Sequence, residues 1–274
     1  IACDLAGEGI EEIKADNNLV MSQEPGMGVN YIYFNMENGP TADIKVRKAL
    51  QMAVDRDAMC AALYQYGECS PAYLPLPPAS WGYDESLEDL VPKYDVEGAK
   101  KLLAEAGYPD GFELEYYTSD SASSKKIGEI LQQFCAKVNV KVNIHQASWG
   151  TFSEIGASGN ADAIGMSWTW FPDPYFYLNK MFHEESLGTL GNGQQFNIPE
   201  VNELLDKAVE VSDQEERAKL YKEALKLIVE QYPQIDYCLA NINTGLNKKV
   251  QNYVVRPDKT IEIAGDGHNV WLAK

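Results

Sequence analysis

Long hydrophobic runs are missing from this chain of 274 residues. No apolar stretch approaches the roughly 20 residues an α-helix needs to cross a bilayer, so no membrane span is expected. Cationic side chains are scarce: 23 Lys and Arg stand against 41 Asp and Glu, giving a formal net charge of −18. Such a surface repels phosphate backbones, which argues against nucleic acid as a partner. The three histidines, His145, His183 and His268, are scattered. The five cysteines, Cys3, Cys60, Cys69, Cys135 and Cys238, form no CxxC pair and no zinc-ligand spacing. GxSxG, phosphate-loop and HExxH motifs are absent. Acid pairs carry no signal in so acidic a chain. The reading is therefore of a protein that is not an enzyme and has no cofactor and no metal. An initiating methionine is lacking too. The chain opens at Ile1, which suggests a processed or cut polypeptide and says nothing about its compartment.

What is present is ordinary globular composition, 45% hydrophobic and 23% charged, enough to bury a sizeable core. GIEEIKADN reads as a short polar helix and Pro25-Gly26-Met27-Gly28 as a turn. YIYFN alternates with period two, placing Tyr31, Tyr33 and Asn35 on one strand face and Ile32 and Phe34 on the other. Asp43, Asp55 and Asp95 are placed to cap helices, and a proline-rich loop from Pro71 to Pro78 can be neither helix nor central strand. Beyond it FELEYYT, VKVNIHQAS and ADAIGMSWTW read as strands, with helical patterns between them. Two helices over 199–211 and 213–231 follow, then strand patterns at QIDYCLAN and KVQNYVVRP. The alternation predicts an α/β fold with a sheet flanked by helices. Cys60 and Cys69 lie close enough in sequence to be bridged if a helix end folds back on a strand; five isolated, mostly buried thiols is the plainer reading.

Three stretches are more specific. They are YIYFNMENGPTADIKVRKALQMAVDRDAM, YDVEGAKKLLAEAGYPDGFELEYYTSD, and WTWFPDPYFYLNKMF with the NIPEVNELLDKA and ERAKLYKEALKLIVEQYPQIDYC that follow it. Each alone is weak, but in this order and spacing they resemble the family-five extracellular solute-binding proteins of ABC importers, which carry dipeptides, oligopeptides or nickel. The resemblance covers nearly all of the chain. It implies a periplasmic-binding-protein-like lobe with a mixed sheet, the second lobe of a two-lobed protein, and hence a C-terminal half. Residues 1–29 are then a hinge and first-lobe remnant, 30–235 the second lobe, and 236–274 the return crossing and a further first-lobe remnant. It also implies a monomeric parent at the periplasmic or extracellular face of the cytoplasmic membrane, lipid-anchored or free. That parent would hold a peptide or similar small solute in an interlobe cleft and deliver it to the permease's membrane subunits.

Candidate ligand-binding residues follow. Trp168, Trp170 and Phe171 close a strand before a proline turn, where open α/β sheets hold ligands; their rings offer stacking surface and indole donors. The resemblance makes this loop cleft-lining. Its peptide-binding members place an acidic residue before the Pro-Asp-Pro turn to pair with the ligand's ammonium; Trp170 or Phe171 stands there instead. Asp173 precedes Pro174 and suits a helix cap, with ligand contact as the alternative. Tyr33 is open between ligand contact and packing, Asn35 leans to backbone bracing, and Trp81 either faces the cleft or seals the lobe. Trp149 opens a helix and reads as core. Two rivals remain, a nickel carrier of the same fold using His183 near Glu184 and Glu185, and a Cys–His hydrolase. For His183 the plainer reading is an exposed helix end.

Overall fold

The alternation within YIYF decides how the sheet is buried. Val29, Tyr31 and Tyr33 belong to one hydrophobic core and Ile32 and Phe34 to another, so both faces of this strand are covered. A computed structural model describes residues 1–169, 171–265 and 268–273. In chain order it contains α1 (Glu8–Ala15), β1 (Leu19–Phe34), α2 (Ile44–Ala53), α3 (Arg56–Leu63), β2 (Cys69–Ser70), α4 (Val96–Glu105), β3 (Glu113–Ser119) and α5 (Ala122–Ala136). Then come β4 (Lys141–Ala147), α6 (Trp149–Ser158), β5 (Ala163–Trp168), α7 (Tyr175–Phe182), α8 (Pro199–Glu210), α9 (Gln214–Glu230) and β6 (Gln234–Asn247).

Six strands form one mixed sheet in the order β2-β6-β1-β5-β3-β4. β3 runs parallel to both β4 and β5, while β1 is antiparallel to β5 and β6. The expected α/β sheet flanked by helices is present. α2, α3, α4 and α5 contribute to the core containing Phe34, and α6, α7, α8 and α9 to that containing Tyr33. The predicted caps are in place: the Asp43, Asp55 and Asp95 carboxylates accept from the Lys45, Ala58 and Gly98 N–H groups. Each such cap is worth about 1 kcal/mol.

β1 departs from expectation. Pro25-Gly26-Met27-Gly28 is not a turn but part of a 16-residue strand. It pairs with β6 from Leu19 opposite Asn247 to Tyr33 opposite Gln234, with a register shift between Pro25 and Val29. The glycines are required there by close approach. A Cβ on Gly26 would lie 2.6 Å from the Ala240 carbonyl oxygen, and one on Gly28 2.7 Å from Thr169 Oγ1. The Tyr177 hydroxyl of α7 donates to the Met27 carbonyl at 2.6 Å and pins the irregular stretch.

Candidate functional site

The C-terminal ends of β3 and β5 open onto a concavity of about 230 Å³. Thr118 and Ser119 come from the end of β3, Gly165, Met166 and Ser167 from the end of β5, and Asn30 from β1. Ser123, Ser124 and Ile127 arrive on the first turns of α5, Trp149 and Phe152 on the first turn of α6. Rings of Tyr64, Tyr116 and Tyr237 complete the lining, which contains no charged side chain. Strands fix these positions because their ends all lie at one edge of the sheet, where helices begin and leave a crevice. The hydroxyls are ordered among themselves. Ser121 Oγ accepts from Ser124 N at 3.1 Å, and Ser119 Oγ lies 2.8 Å from Ser124 Oγ. Such a wall offers hydrogen bonds and ring surface to a neutral or zwitterionic solute. A larger concavity of about 350 Å³, lined by charged groups such as Arg56, Asp57, Glu88 and Lys93, takes no residue from any strand.

The aromatic loop after β5 borders this wall through Met166 and Ser167. The Trp168 indole N–H donates to the Phe176 carbonyl at 2.8 Å, so it braces α7. Phe171 is 59% exposed and meets the Phe176 ring edge-on at 5.3 Å. Trp170 lies outside the described residues. The Pro172 carbonyl accepts from Ser80 Oγ and from the Trp81 backbone N–H. Pro174, not Asp173, is the N-cap of α7; Asp173 one residue earlier accepts from Tyr175 N at 3.0 Å and pairs with Arg217 at 3.1 Å. Trp81 is half-buried against the core, its ring under the Arg217 guanidinium at 5.0 Å and edge-on to Tyr221 at 5.7 Å. It seals the lobe. Arg217 thus ties Asp173 of this loop to Trp81 of the proline-rich segment, a role hidden in the sequence because it sits in a helix, 44 residues from Asp173.

Asn35 braces backbone as its reading leaned, while Trp149 and His183 depart from expectation. Tyr33 is 1% exposed, its hydroxyl directed to the Gly156 carbonyl at 3.5 Å. It lies in the core because the helices pack over that sheet face. Asn35 is equally buried and braces backbone: it donates to the Gly159 carbonyl and accepts from the Glu37 and Asn38 N–H groups. Neither reaches the wall. Trp149, read as core, is 63% exposed and lines the concavity. His183 is buried rather than an exposed helix end. Its Nδ1 accepts from Glu185 N at 3.2 Å and its Nε2 faces Asp206 at 3.2 Å. His145 pairs with Glu115. Among the described residues no group of three His, Cys, Asp or Glu side chains is placed to hold a metal ion, and no helix is long and apolar enough to cross a membrane.

A mixed sheet with helices on both faces, opening at its strand ends onto a neutral polar and aromatic wall, defines a periplasmic-binding-protein-like lobe. The chain belongs to the bacterial extracellular solute-binding proteins, family 5, whose middle-region model matches residues 1–188. It is 34% identical over 254 residues to heme-binding protein A of Haemophilus influenzae, covering 90% of this chain and 46% of that protein. It is 30% identical over 254 residues to the dipeptide-binding protein of Escherichia coli, covering 90% of this chain and 47% of that protein. HbpA2 from Haemophilus parasuis superimposes with a TM-score of 0.89 at 30% identity, over 97% of this chain and 52% of that one. A dipeptide-binding protein from Pseudoalteromonas, solved with Met-Leu, gives 0.78 at 26% identity, over 98% and 53%. These relatives are binding proteins rather than enzymes. The chain spans about half the length of those it matches.

Proposed function

We propose that this chain supplies one wall of the ligand cleft in the solute-capturing component of an ABC importer, and that the whole protein binds a peptide or similar small organic solute without transforming it. The observation that carries this is the uncharged concavity at the strand ends, bordered by Trp168 at the end of β5 and the loop holding Phe171. Closing a cleft strips water from the ligand's polar groups, and each then needs a partner. Backbone, the Asn30 amide and serine hydroxyls supply partners here, and Trp149 and Phe171 supply ring surface. The wall's neutrality leaves any full charge on the ligand to be matched elsewhere in the cleft.

Residues 30–235 are read as the second lobe, with 1–29 and 236–274 as hinge crossings and first-lobe pieces. The long β1–β6 pair, irregular between Pro25 and Val29, supports this reading, since it runs through both boundaries. The protein is placed at the outer face of the cytoplasmic membrane, lipid-anchored or free in the periplasm. It works as a monomer that meets the permease's membrane subunits.

Thermal-shift and calorimetric titration of the full-length protein with di- and tripeptides, haemin and nickel–histidine tests this. At a hundredfold excess over Kd a ligand stabilises the native state by about 2.7 kcal/mol. Peptides are expected to raise Tm. Trp149→Ala and Phe171→Ala are each expected to weaken peptide binding about tenfold, the size of a lost ring contact. Peptides that leave Tm unchanged, or both variants binding like wild type, would overturn the reading.

A further inference from the structure

Three of the five cysteines meet beneath the wall. Cys60 lies on α3, Cys69 on β2 and Cys238 on β6. The Cys60 and Cys238 sulfurs are 3.1 Å apart, although 178 positions separate them in sequence. Both are buried in the core that holds Phe34, and half-buried Cys69 packs on the same cluster. β2 sets Cys69 opposite Ala240, two residues from Cys238. The Cys60–Cys69 bridge that sequence proximity suggested is therefore displaced. β6 brings Cys238 between them, and the closest approach is Cys60 to Cys238. A covalent S–S bond needs roughly 2.0 Å, about an ångström less than the present separation.

We infer that this trio is an oxidation site, at which a small-molecule disulfide of the oxidised-glutathione class is exchanged for a Cys60–Cys238 bond, with Cys69 as the entry thiol. Cys69 is the member the oxidant reaches, since the other two are buried. Its thiolate attacks one sulfur of R–S–S–R; that bond breaks and R–S⁻ leaves. Cys238 then attacks the Cys69 sulfur, expels the second R–S⁻ and passes its proton to it. The Cys60 thiolate attacks Cys238, and Cys69 departs as a thiolate. Overall two cysteine thiols are oxidised to one disulfide and R–S–S–R is reduced to two R–SH. The resting electrostatics favour Cys60, rather than Cys238, as the thiolate of the last step. Hydrogen bonding with Cys238 holds the Cys60 thiol below its ordinary value, while burial drives that of Cys238 far up. The bond would fasten α3 to β6 directly under the wall, where Asn30 donates to the Cys238 carbonyl at 3.4 Å.

The test is oxidation of the reduced full-length protein with oxidised glutathione, followed by alkylation under denaturing conditions and peptide mass mapping. Of this chain's five cysteines, Cys60 and Cys238 are expected in one disulfide and the other three alkylated. Cys69→Ala is expected to reach the same bond about tenfold more slowly, because direct attack at a buried thiol is hindered. Mapping on the unsubstituted protein stands even if that variant misfolds. Cys60 and Cys238 remaining alkylatable, a stable glutathione adduct on either, or a final bond containing Cys69 would overturn the site. An unchanged rate in a folded Cys69→Ala protein would overturn the entry role.

Discussion

Asn35 holds three backbone groups with one amide side chain: the Gly159 carbonyl and the Glu37 and Asn38 N–H groups. Asn35→Ala leaves these buried or half-buried groups unpaired, each at about 1 kcal/mol or more. Urea unfolding is expected to show a loss of about 2–4 kcal/mol, with peptide affinity unchanged. Asp236 offers a second residue-scale prediction. It is fully buried beside Arg56 and Gln234, and burial pushes its carboxyl up to about 7. An acid raised above its unfolded value of about 3.9 binds its proton more tightly when folded. Its contribution to stability is therefore complete below about pH 4 and lost as pH rises toward about 7. Asp236→Asn is expected to remove this slope, seen as a wild-type-minus-variant difference in unfolding free energy that shrinks over that window. A difference constant with pH would refute it.

At the scale of elements, two packing devices position the wall. The first is the close β1–β6 approach at Gly26. Gly26→Ala forces a methyl against the Ala240 carbonyl. Overpacking of this kind costs about 1–3 kcal/mol, and a lowered Tm is the expected readout. The second is Arg217 on α9, which pairs with Asp173 and stacks over Trp81 while its Nε donates to the Ala208 carbonyl. Arg217→Lys keeps the charge but loses the planar fork. It is expected to weaken peptide binding by loosening the aromatic loop, with a stability loss of no more than about 2 kcal/mol. Most helices were legible from the sequence because their caps and periodicity are local. The length of β1 was not: Pro25 through Gly28 has every local mark of a turn, and only pairing with residues more than 200 positions away makes it strand.

At the scale of the whole molecule, the proposed binding role requires closure over the concavity, a hinge motion of the kind binding proteins use. Small-angle scattering of the full-length protein is expected to show a smaller radius of gyration with bound peptide than without. Equal radii would mean that ligand is held without closure. The β1–β6 pair is where such bending would concentrate, since its register already shifts between Pro25 and Val29.

The sequence by itself determined the helix starts, the two faces of the central strand and, through three ordered motifs, the family. All of these follow from neighbouring residues and their periodicity. Tertiary structure alone decided which polar and aromatic side chains line the concavity at the strand ends. Tyr33 and Asn35 went inside because helices cover both sheet faces, and Trp149 came out because α6 begins at the open edge. It also decided that Cys60 meets Cys238, since β-pairing joins residues that no local pattern can relate.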